Sequence, residues 1–80
     1  MEHIEEADDV IFKFKEDSII EVYEHEDIEL HEPVEERFAK DEVIDVTICS
    51  VNEQNYGIQF GDGTVSFIHK NMVEVIAVNP

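Results

Sequence analysis

An all-β domain, a small barrel or rolled antiparallel sheet of five to six short strands, follows from three features of this 80-residue chain. Apolar and polar residues alternate with period two in several short runs, the pattern of half-buried strands. Those runs are rich in Val, Ile, Phe and Tyr, residues that suit a pleated surface. They also follow one another closely, divided by turn-forming clusters that leave little room for helix. A chain of this length makes one domain with a thin stability margin and no space for a cofactor pocket of ordinary size.

Residues 1–8 read as an acidic tail, and residues 9–80 as a single barrel-like domain. Val10, Phe12 and Phe14 alternate with Ile11, Lys13 and Lys15 in the first strand. Glu16-Asp17-Ser18 makes a turn, and Ser18 to Tyr23 the second strand. From Glu24 to Leu30 acids mix with apolar residues, as in a ragged exposed strand or a long loop. Pro33 suits the first position of a helical turn, and Val34 and Phe38, four apart, would share its face. At most one short helical turn is therefore expected near 33–39. Ile44, Val46 and Ile48 alternate with Asp45, Thr47 and Cys49 in a strand that runs to about Val51, followed by a turn at Asn52–Asn55. Tyr56, Ile58 and Phe60 form the next alternation. Gly61-Asp62-Gly63 is a tight hairpin whose glycines can supply positive φ. Val65, Phe67 and His69 line one face of the strand after it. Lys70-Asn71-Met72 is a short connector with the length of one 3₁₀ turn, and Val73 to Val78 closes the chain as a last strand.

Charge sets the partner class. There are 21 acids against five Lys and Arg, a formal net of −16. Residues 1–45 hold 18 acids and 4 bases, and the span from Glu16 to Glu36 has ten carboxylates with no Lys or Arg until Arg37. Such a field repels phosphate backbones and anionic membranes, and attracts basic proteins and cations. Direct nucleic-acid binding through a basic surface is excluded. The acidic N-terminus lacks the apolar stretch of a secretory signal, and no apolar run is long enough to span a bilayer. With Cys49 as the one cysteine, no intrachain disulfide is available, which suits a cytoplasmic protein.

Within 41–76, three pieces carry a family resemblance: Tyr56-Gly57-Ile58-Gln59-Phe60, then Gly61-Asp62-Gly63, then a strand, a short turn and the final strand Met72-Val73-Glu74-Val75-Ile76. Together they resemble small SH3-like barrels of the Tudor or KOW type. A second resemblance is to the OB-type domain repeated in a large ribosomal protein, where a Gly-Asp-Gly hairpin precedes a strand like Phe67-Ile68-His69. That family continues with two further strands where one is read here, and it uses a basic surface that this sequence lacks, so its RNA function is not carried over. The SH3-like resemblance implies binding rather than chemistry, and its Tudor members hold methylated Lys or Arg in an aromatic cage. Most of the seven aromatics, Phe12, Phe14, Tyr23, Phe38, Tyr56, Phe60 and Phe67, fall at alternating positions that face a core. Tyr23 and Tyr56 are the ones expected at the rim, since a phenol favours one wet end.

Catalytic and metal signatures are weak. His25 and His31 stand among Glu26, Asp27, Glu29 and Glu32, but at no compact metal-binding spacing, so a solvated acidic loop with no metal and no cofactor is expected. Cys49 has no neighbouring His in sequence and reads as an inert thiol. No serine lies in a nucleophile elbow, and Gly61-Asp62-Gly63 precedes a strand rather than the helix a phosphate loop needs. The expectation is a non-enzymatic acidic interaction module for a basic protein surface, whose sharper form is a nucleic-acid mimic. Glu21, Glu24, Glu26, Asp27, Glu29 and Glu32, with Tyr23 and Tyr56, would meet the partner. The alternatives are a Tudor-like peptide reader and a homo-oligomeric assembly protein. A homodimer would use the less charged C-terminal half, at Val73 to Val78.

Overall fold

The computed structural model describes residues 4–24 and 32–79. Seven strands follow in order: β1 (Asp9–Phe14), β2 (Ser18–Tyr23), β3 (Val34–Phe38), β4 (Val43–Val51), β5 (Asn55–Gln59), β6 (Val65–His69) and β7 (Val73–Asn79). A single 3₁₀ turn, Lys70–Met72, links the last two. All strands join one antiparallel sheet in the order β3-β2-β6-β5-β4-β1-β7. Among the described residues no helix is long and apolar enough to cross a membrane.

The sheet is rolled, for a reason visible in its connections. β1 and β2 are joined by three residues, 15–17, yet stand four places apart in the strand order. One face must therefore curl inward. The alternation along each strand puts Val10, Phe12 and Phe14 of β1 on that face, with Ile20 and Val22 of β2 and Ile44, Val46 and Ile48 of β4. Ile58, Ile68 and Val73 complete the buried set. Each fully buried side chain of this size is worth about 1.5–3 kcal/mol of transfer free energy. The rings of Phe14 and Phe38 stack across the roll with centroids 4.7 Å apart and planes 9° from parallel.

Two bulges let the sheet bend. One lies on β4 at Cys49, between Ile48 and Ser50, and the other on β7 at Ile76, opposite the step from Ile11 to Phe12. Each extra residue leaves the ladder unpaired locally and increases the twist. Both are exposed. The turns are fastened by side chains. Asn52 Oδ1 accepts from the N–H groups of Gln54 (2.9 Å) and Asn55 (2.7 Å). Lys40 N–H donates to Asp17 Oδ1 at 2.8 Å, and Asp41 N–H to Phe14 O at 2.8 Å, tying the β3–β4 turn to the end of β1.

The structure departs from expectation at four places. Seven strands form rather than five or six. Residues 34–38 are strand β3, not a helical turn, while the 3₁₀ turn expected at Lys70–Met72 forms there. Val34 and Phe38 share a face in either conformation, so their spacing does not separate helix from strand, and backbone pairing along β2 decides. Residues 4–8 do not hang free: Ile4 packs on the core, Ala7 N–H donates to Ile48 O at 2.8 Å, and Ile48 N–H donates to Asp8 O at 2.9 Å. Phe67 points outward and is 57% exposed.

Phe67 has a local task there. It lies on the outer face opposite Gly57 of β5, where a Cβ would stand 3.3 Å from the Phe67 ring and collide with Ser50 Oγ. The aromatic ring thus covers bare backbone. Gly57→Ala is expected to cost about 1–3 kcal/mol through this crowding, read as a lowered urea midpoint at unchanged m-value. An unchanged midpoint would mean that Ser50 and Phe67 yield freely.

Candidate functional site

At the β5–β6 end of the roll the sheet leaves an open pocket of about 260 Å³. Its walls are Val22, Phe38, Ile44 and Phe60, and its rim carries Glu36, Asp45, Asp62 and Thr64. These residues come from β2, β3, β4 and the hairpin between β5 and β6. The inward alternation of β3 delivers Glu36 and Phe38, opposite Ile20 and Ser18 of β2. The rings of Phe38 and Phe60 lie nearly parallel, 5° apart in plane with centroids 6.3 Å apart. With Phe14 they make a row of three near-parallel rings that begins in the core and ends at the pocket. The volume is below the range of small-molecule and cofactor sites, roughly 300–1,000 Å³, and matches one long side chain.

Hairpin chemistry fixes one rim acid. Gly63 adopts φ +92°, and Phe60 N–H donates to Thr64 O at 2.8 Å. Gly61, by contrast, does not need positive φ. Asp62 Oδ1 accepts from Thr64 N–H at 3.0 Å and from Thr64 Oγ1–H at 2.6 Å. The side-chain bond from Thr64, then the backbone bond, hold the Asp62 carboxyl below the usual aspartate range. Glu36 and Asp45 have no cation or hydrogen-bond donor as partner among the described residues. Among the described residues, the pocket therefore offers two aromatic rings and three carboxylates without a cation of the chain's own.

The residues expected to bind a partner are scattered. Glu21 lies on the outer face of β2, where it accepts a hydrogen bond from Tyr23 Oη at 3.1 Å. That bond is the main cause holding the Tyr23 proton above the ordinary phenol range. Glu24 and Glu32 are exposed at the two ends of the β2–β3 connection. Glu26, Asp27 and Glu29, with His25 and His31, lie outside the described residues. Tyr56 faces inward, with its ring 5.1 Å from Phe12 and Lys70 Nζ 5.1 Å above its centroid. The two tyrosines are thus on opposite faces and form no common cage. Phe38 and Phe60 meet at the pocket described above, while Tyr23 and Phe67 line a separate open groove beside Ile19 and Glu21. Among the described residues no group of three or more His, Cys, Asp or Glu is arranged to hold a metal.

No protein-family model, no curated protein and no solved structure matches this chain.

The Asp62 bonds carry a pH prediction. Ionised Asp62 is favoured in the folded chain, so its contribution to stability is full above the ordinary aspartate pKa and is lost as pH falls through its own lower value. A carboxyl-carbon NMR titration should place Asp62 below ordinary aspartates, and Thr64→Val should move it upward. An ordinary midpoint that the substitution leaves in place would show that Thr64 does not hold Asp62 in solution.

Proposed function

We propose that this domain is a non-enzymatic acidic interaction module that binds a basic protein and takes one Lys or Arg side chain of that partner into the Phe38–Phe60 pocket. The observation that supports this reading is the combination of two near-parallel rings with Glu36, Asp45 and Asp62 around a space the size of one side chain. A cation gains from aromatic π density by about 0.5–2 kcal/mol according to its desolvation. Carboxylates at the rim add attraction that salt weakens. The chain already uses this chemistry internally, with Lys70 over Tyr56. The net of −16 would speed encounter with a basic surface and set the orientation of approach.

The Tudor-like reader is the same proposal with a methylated occupant. An SH3-like reading of the topology is supported by the strand, 3₁₀ turn and final strand at β6, Lys70–Met72 and β7. Methylation enlarges the cation and lowers its hydration, which shifts weight from the carboxylates to the rings. The nucleic-acid mimic is the form in which the partner's basic surface is itself a nucleic-acid groove. In each form the contact begins with a cationic side chain.

Titration of the ¹⁵N-labelled protein with short Lys- and Arg-containing peptides, unmethylated and methylated, separates these forms. Shifts should centre on Glu36, Phe38, Phe60 and Asp62 and shrink with added salt, and an acidic peptide should give none. Phe60→Leu should weaken binding roughly fivefold, the equivalent of about 1 kcal/mol. No shift at about 1 mM peptide, the level of the weakest useful affinities, would remove the proposal.

A further inference from the structure

The edge strand β3 has an unusual symmetry. β3 is the terminal strand of the sheet and pairs with β2 on one side. On its other side no backbone hydrogen bond joins Val34–Arg37 to a described residue. Edges of this kind template further strands unless they are blunted. The opposite edge, β7, is blunted by its bulge at Ile76, whereas the β2–β3 register runs without a break from Ser18↔Phe38 to Val22↔Val34.

The sequence of β3 is Val34-Glu35-Glu36-Arg37-Phe38. It is complementary to itself when run antiparallel about Glu36. Glu35 then stands opposite Arg37 of the second copy, and Arg37 opposite its Glu35, on the outer face. Val34 stands opposite Phe38 and Phe38 opposite Val34 on the inner face. Directly opposed residues in such a pair have Cα atoms about 4.5–5.5 Å apart, close enough for each of these contacts. Shifting the register by two residues either way destroys the match, since it sets Glu35 against Glu35 or Arg37 against Arg37. Two observations fit this occupant. Arg37 is the chain's single arginine, sits in the middle of its acidic surroundings, and has no ion-pair partner among the described residues. Val34 is 64% exposed, the highest value among the exposed large apolar residues of the described chain.

We infer that β3 is a self-pairing edge: two copies of this chain join antiparallel through Val34–Phe38, with a twofold axis at Glu36, and continue the sheet from one copy into the other. The contact is short, below the size of a stable interface, so the dimer is weak. The two Glu36 carboxylates face each other at the axis, which opposes pairing. They also lie at the mouths of the two pockets, so each copy lends the other's pocket a fourth carboxylate. The inference stands independently of the cationic-partner proposal, because it needs no ligand.

Charge reversal tests it by sedimentation equilibrium at about 0.15 M salt, where the Debye length is about 8 Å, with amide spectra as a check on folding. The wild type should dimerise with rising concentration. Arg37→Glu and Glu35→Arg should each weaken the dimer roughly tenfold or more, since each turns two attractive pairs repulsive. The double variant E35R/R37E should restore it, because the swapped charges again meet their opposites. The Glu35→Arg result is decisive: it makes the chain less acidic, so general charge repulsion predicts tighter association and β3 pairing predicts weaker. Glu36→Gln should tighten the dimer. A wild type that stays monomeric to about 1 mM, or a dimer indifferent to these reversals, overturns the inference, and neither result bears on whether the pocket accepts a cationic side chain.

Discussion

The contact between the Phe14 and Phe38 rings, 4.7 Å apart and nearly parallel, is the constraint on which the architecture turns. β1 and β3 stand near opposite ends of the strand order, so this contact exists only when the sheet rolls over. A flat sheet of these residues would leave one face apolar and wet. An 80-residue chain has little area to spare, so closing that face is the main source of its stability. The links at the same corner agree with it. Asp17 receives the Lys40 N–H, and Phe14 exchanges backbone hydrogen bonds with the Asp41–Glu42 turn. Asp41 takes positive φ to make that turn. Side-chain stacking and backbone pairing therefore fix one and the same closure.

Because the core lies on one face, the acids are confined to the other and to the rims. Asp8 and Ser66 are the buried polar side chains of the described residues, and both are satisfied. Asp8 accepts from Glu5 N–H at 2.9 Å, and Ser66 Oγ donates to Glu21 O at 2.6 Å. The remaining charge stays in water, where self-repulsion is screened over about 8–10 Å. Only one ion pair links described side chains across strands, Lys13 with Glu74 at 3.6 Å, and its exposure makes it weak. The fold thus tolerates its charge without being held by it. A large negative field remains for use outside the molecule.

Much of the fold was legible because period-two alternation is a direct imprint of a sheet with one buried face. Val10, Phe12, Phe14 and Ile44, Val46, Ile48 are buried where the alternation puts them. β3 was not legible, for two physical reasons. Its inward positions are Val34, Glu36 and Phe38, so the alternation is interrupted by a carboxylate. Spacing of four also serves a helix as well as a strand. The pocket was hidden for a related reason: its residues come from four separate parts of the chain, and rolling brings them together. Tyr23 and Tyr56 suggested a rim by their chemistry, but the parity of their strands sends them to opposite faces. Phe38 and Phe60 carried no such mark, yet both end strands or turns at the same mouth.

Several of the misread residues lie on β3. Glu36 interrupts the alternation because it stands at a mouth rather than over the core. Val34 breaks the rule of burial because no described residue pairs with the far side of its strand. Arg37 breaks the acidic run at a position two residues from Glu35, on the same face. Local consistency between pattern and burial is what a folded core demands, and departures from it gather where a surface has another use. In a domain this small, the strand least committed to the core is the one free to meet a partner. β3 contributes one aromatic wall and one acid to the pocket, and no described residue pairs with its outer edge. Any ligand that neutralises Glu36 would also relieve the repulsion at the β3 axis. Cation capture and pairing of copies would then reinforce each other through a single carboxylate, and by linkage each would strengthen the other by the same factor.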